Sequence, residues 1–99
     1  MPVRAASAIC GARVSGRDGT DLGSITEIML DTETGTVAYC VLSHGGVLGL
    51  GEKLLAVPWE ALSETDEGFA LDAEKAQLSA ATGIDKDAWP PAAPRDWLA

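Results

Sequence analysis

The chemistry-bearing residues of this 99-residue chain are few and scattered. The single histidine, His44, stands at the end of an apolar run and could titrate near neutral pH. No Ser-His-Asp order accompanies it, and one histidine holds no metal without further ligands at suitable spacing. A structural or solvent-facing role at a strand end is the reading. Carboxylates pair at Asp18/Asp21, Asp31/Glu33, Glu64/Asp66/Glu67 and Asp85/Asp87. The last pair resembles half of a calcium loop, but it lacks the Asp-x-Asp-x-Asp-Gly spacing and the distal glutamate. Solvated turns and helix caps account for such carboxylates. The glycine-rich stretch 45–51 runs through Glu52-Lys53 into a strand pattern, whereas a phosphate-binding loop opens a helix whose N–H groups face the anion. Cys10 and Cys40 lie in apolar patterns, with no zinc spacing and no disulfide framework. Buried thiols in a reduced setting are expected. No cofactor motif is present and none is expected. Catalysis is not expected either.

The elements that must position these residues are strands. Residues 1–7 read as a flexible arm. Ala8–Val14 reads as a first strand, and Asp18-Gly19 as a tight turn. Leu22–Asp31 is a second strand whose alternation slips, since Leu22 and Ile25 are in opposite phase. A bulge near Gly23-Ser24 would absorb the slip. Thr36–His44 is β-branched, aromatic and apolar on both faces, as a covered strand requires. Leu54–Trp59 is a fourth strand, which Pro58 ends. Trp59–Leu62 reads as a short helical turn, Ser63–Gly68 as an acidic connection, and Phe69–Leu71 as a last strand. Asp72 is expected to cap a helix over 73–82 that Gly83 terminates. Trp59, Trp89 and Tyr39 are expected in the core. Residues 90–99 form a Pro-rich tail containing Trp97. A domain over 8–89 results, mainly β: a small, strongly bent antiparallel barrel of five to six strands with a C-terminal helix.

Charge narrows the partners. Fifteen acidic residues against seven basic ones give a net charge of −8. Phosphate polymers and anionic membranes are repelled, whereas basic protein surfaces or cations are not. No run reaches the roughly 18 apolar residues of a membrane span, and no signal peptide is recognised, so a cytoplasmic chain is expected.

The stretch Gly35–Leu62 resembles the signature of the PRC-barrel family. Leu22-Gly23, Asp31–Gly35, Ser43-His44-Gly45-Gly46 with Leu48-Gly49, and Ala56-Val57-Pro58-Trp59 fall in the family's order, over roughly Ile9–Leu78. The resemblance implies a compact β-barrel that docks onto other proteins, as in the photosynthetic reaction-centre H subunit, a ribosome maturation factor and stand-alone members. This chain resembles the stand-alone members. The expected function is a non-enzymatic docking or scaffold module that binds another protein or itself. Val47, Leu48 and Leu50 either fold over one barrel end or form a contact patch. As the expected partner-binding residues they are joined by Trp89 or Trp97 at the rim, since aliphatic and aromatic anchors supply most interface energy. The alternatives are a homo-oligomeric structural protein, and an acidic small-molecule, cation or proton-relay domain.

Overall fold

The computed structural model describes residues 3–45, 52–94 and 96–98. Its six strands are β1 (Arg13–Ser15), β2 (Asp21–Asp31), β3 (Thr36–His44), β4 (Lys53–Val57), β5 (Leu62–Thr65) and β6 (Gly68–Leu71). One helical turn, α1 (Ala6–Ile9), precedes them and one short helix, α2 (Lys75–Ala80), follows. The strands form a single sheet in the order β4-β3-β2-β1-β6-β5. The β1–β6 pair is parallel and the others are antiparallel. The sheet curls into a half-barrel, mainly β as the sequence pattern requires.

Strand β2 shows how the curl is made. Leu22 and Ile25 are both buried, and Ile28 packs on the same core. A regular strand would send residues three apart to opposite faces. The pairing absorbs the mismatch twice. Leu22 is the extra residue between Gly23 and Asp21 opposite β1, and Thr26 is the extra residue between Ile25 and Glu27 opposite β3. Gly23 takes φ 138°, next to the expected bulge. A Cβ there would lie 1.9 Å from the Ser43 carbonyl oxygen, so β2 and β3 approach closely only because the residue is glycine.

Two apolar layers result. The inner core joins Val14, Leu22, Ile25, Leu42, Leu55 and Leu71 under Leu78 of α2. Full burial of one such aliphatic side chain contributes about 1.5–3 kcal/mol. The outer layer joins Tyr39, Val41 and Ala56 on the other face of β3–β4, covered by Ile84 and Ala93. Strand β3 is therefore covered on both faces, which its composition demands. Tyr39 Oη donates to the Pro90 carbonyl at 2.7 Å, and Ile84 N–H donates to the Leu54 carbonyl at 2.8 Å, fixing the chain that crosses this face.

Four local expectations are corrected. Ala8–Cys10 is not strand: α1 occupies Ala6–Ile9, Ile9 packs on the inner core, and pairing begins only at Arg13. The acidic connection contains β5, held by β6 across the Asp66-Glu67 turn. The helix is Lys75–Ala80, and its cap is Glu74 in a reciprocal capping box with Gln77. Asp72 instead receives Arg17 Nε at 2.6 Å, a tertiary partner that displaces the local cap. Trp59 and Trp89 are not core residues, being 38% and 39% exposed.

Candidate functional site

Among the described residues, two regions bear on function. The first lies where β3 and β4 meet α2. His44 pairs with Lys53 across the ladder. The Lys53 ammonium donates to three carbonyls of the α2 end, Leu78 at 3.1 Å, Ser79 at 2.7 Å and Ala81 at 2.7 Å. A cation at a helix C-terminus meets the negative end of the helix and its unpaired carbonyls. His44 is buried, and its Nδ1 donates to the Leu22 carbonyl at 2.7 Å. That bond fixes the tautomer and leaves Nε2 facing Ser79 Oγ at 3.5 Å. The cluster thus serves to hold α2 over the barrel end.

The carboxylates of Asp18, Asp31 and Asp85 are spent on their own turns. Hydrogen bonds donated by the Thr20 hydroxyl and amide hold the Asp18 carboxyl below its ordinary value. Asp31 accepts from the amides of Glu33 and Thr34, and Asp85 from that of Asp87. Among the described residues, no three His, Cys, Asp or Glu side chains are grouped to hold a metal ion. Burial pushes the Cys40 thiol up to about 11.

The second region is apolar and open. A groove of about 600 Å³ lies between the β2–β3 hairpin and β5, walled by Ile28, Leu30, Val37, Trp59 and Leu62. Leu30 is 63% exposed. Trp59, in the groove wall, tilts against Phe69 with ring centroids 6.0 Å apart. Beyond Leu30 the hairpin carries a second, mixed depression, with Met29, Tyr39 and Trp89 on its apolar side and Asp31, Thr32 and Glu33 on its polar side. Leu30 belongs to both, so Trp59, Leu30 and Trp89 form one apolar band across the hairpin end. Exposed apolar bands with polar rims mark contact sites.

Of the residues singled out from sequence, Val47, Leu48 and Leu50 lie outside the described residues. Trp89 lies in the band. Trp97 sits in a 3-10 turn, Asp96–Leu98, half-buried against the inner core, where its carbonyl accepts from Gln77 Nε2 at 3.3 Å. Trp89 and Trp97 therefore serve different faces. Leu30 and Trp59 escaped sequence reasoning. The one available signal for Leu30 was its place beside the Asp31–Gly35 turn, where an apolar residue can fall outside both cores.

The curled sheet, the Val-Pro-Trp turn and the covering helix define a small half-barrel of the PRC type. The PRC-barrel domain model matches residues 1–78, and the chain belongs to that family. A similar solved structure is that of RimM, a protein assigned to 16S ribosomal RNA processing, from Pseudomonas aeruginosa. The two share 16% identity and a TM-score of 0.51 over 75% of this chain, which shows the fold alone. The match spans 46% of the length of that chain. Comparison with curated proteins finds no match. No helix among the described residues is long and apolar enough to cross a membrane.

Proposed function

We propose that this chain is a non-enzymatic docking module that binds another protein through the Trp59–Leu30–Trp89 band. The observation carrying the reading is the 63% exposure of Leu30 between an apolar groove and an adjoining depression that holds Trp89. Family membership supports a scaffold role, with the cytoplasmic setting and absence of catalysis expected from sequence. The similarity to a protein assigned to 16S ribosomal RNA processing extends the reading to a partner within an RNA–protein assembly. A net charge of −8 favours the basic protein components of such an assembly over its RNA.

The contact surface expected at Val47, Leu48 and Leu50 stays part of the proposal. The two sets share no residue, so separate variants test them. Crosslinking and capture from source cells should compare wild type, Leu30→Asp and the Leu48→Asp/Leu50→Asp double variant. All must first be shown to unfold cooperatively. Loss of one stoichiometric partner in Leu30→Asp supports the band, and loss in the double variant alone moves the site to the loop. Recovery of nothing but the chain itself overturns the reading in favour of a homo-oligomeric structural role.

A further inference from the structure

We infer that the docking surface takes an extended, basic segment of another protein, added as a strand beside β5 with a cationic side chain on Glu64. The inference rests on the docking reading and specifies its occupant.

Strand β5 ends the sheet. The opposite edge, β4, is partly closed by the Ile84 N–H on the Leu54 carbonyl. On β5, the Leu62 N–H is spent on the Trp59 carbonyl, so Leu62 cannot be bonded through it to Leu71 of β6. Antiparallel ladders alternate, which places Ser63 and Thr65 in the bonded pairs and turns the backbone of Glu64 outward. The Leu62 carbonyl and the Glu64 N–H and carbonyl thus face away from the sheet. An unpaired edge of this kind is a template for a further strand.

The same two residues carry the side-chain specificity. Leu62 and Glu64 both line the apolar groove of Leu30 and Trp59, so a strand lying on the β5 edge would run along that groove. Its far end continues into a depression bounded by Glu64, Asp66 and Glu67, where Arg4 is the one cation among the lining residues. Arg4 Nε donates to Glu64 Oε2 at 2.8 Å. The chain's own N-terminal segment therefore already presents to Glu64 the class of group that an incoming segment would bring. Both members of that pair are half exposed, so exchanging one cation for another there costs little. A second copy fits poorly. Pairing β5 with β5 would bring the Glu64, Asp66 and Glu67 carboxylates of two chains of charge −8 together.

The probe is a fluorescent eight-residue peptide with two central arginines flanked by valine and leucine. Controls replace the arginines by glutamate, or N-methylate alternate amides, which blocks strand pairing and keeps the side chains. Anisotropy should show salt-sensitive binding, weakened at least tenfold by either control and by Glu64→Lys. Arg4→Ala should tighten it. Amide shifts should centre on Leu62–Thr65 and Leu30. No binding at millimolar peptide, or binding with shifts centred away from β5, overturns the inference. Loss in Leu30→Asp together with indifference to charge and methylation overturns strand addition and leaves groove docking standing. Full binding by Leu30→Asp removes the groove itself. A dimer at micromolar concentration that Glu64→Lys abolishes would replace the foreign segment with a second copy.

Discussion

The Lys53 ammonium and the Ser79 carbonyl, 26 residues apart, meet at 2.7 Å and lock the last turn of α2 to strand β4. The same ammonium reaches Leu78 and Ala81, so one side chain gathers three carbonyls at the end of a six-residue helix, of which that of Leu78 also accepts the Ala81 N–H. Gly83 makes room for it: a Cβ there would lie 2.9 Å from Lys53 Cγ. Lys53→Met keeps the stem and removes the charge. We expect a loss of about 1–2 kcal/mol. Hydrogen exchange should quicken in α2 before the sheet, and uniform quickening would show that the contact does not act locally.

Gly23→Ala tests the close approach of β2 and β3. A positive φ of 138° and a Cβ directed into the Ser43 carbonyl leave no room for alanine. We expect destabilisation above about 2 kcal/mol. Gly35→Ala, at φ 74° with open space around the position, should cost less. Denaturant unfolding of the two variants gives the comparison, and equal costs would show that strain at φ, not the β2–β3 approach, dominates.

Cys40 predicts an alkaline limb. Its folded value, about 11, lies above the ordinary value of 9.0. The unfolded chain then releases the proton first as pH rises. Stability is unaffected below about pH 9 and falls progressively toward pH 11. The loss is on the order of 2 kcal/mol. Cys40→Val should flatten that limb in chemical denaturation from pH 8 to 11. At pH 7.5 a thiol reagent should label Cys10, which is partly exposed, and reach Cys40 only on unfolding.

Tyr39→Phe removes the hydroxyl that holds the Pro90 carbonyl. Burial keeps this phenol above its ordinary value, so the bond persists across the neutral range. We expect a loss of about 1 kcal/mol. Trp89, one residue before Pro90, should become more accessible to iodide quenching, while Trp97 on the inner core should not.

What could be read from the sequence follows the range of the forces involved. Strand β3 declares itself because a residue run apolar on both faces has no other use in a small sheet. The Leu22–Ile25 slip is equally legible, since two buried residues in opposite phase need an irregularity in the ladder nearby, which falls at Leu22 and Thr26. The first strand misleads because Ala8, Ile9 and Cys10 suit either a strand or a helical turn, and only contact with the distant core decides. Strand β5 is hidden because Ser63, Glu64 and Thr65 are exposed and carry no apolar alternation. Asp72 reads as a cap by every local rule, and an arginine 55 positions away claims it. The Leu30–Trp59 groove joins residues from different elements, so no window of sequence contains it.

The parallel pairing of Val14 with Phe69 has a consequence for how the molecule comes into being. Strand β1 has three residues, pairs with β2 on one side, and finds its second sheet partner more than fifty positions later. During synthesis, the β2–β3–β4 meander can assemble as it emerges, but the curl cannot close until β6 has left the ribosome. Such long loop closures slow the final step. The nascent chain therefore spends its early life as an open meander with Val14 and Leu22 uncovered. Closure and the completed β5 edge arrive together, so a partner that reads that edge would recognise only chains that have finished folding.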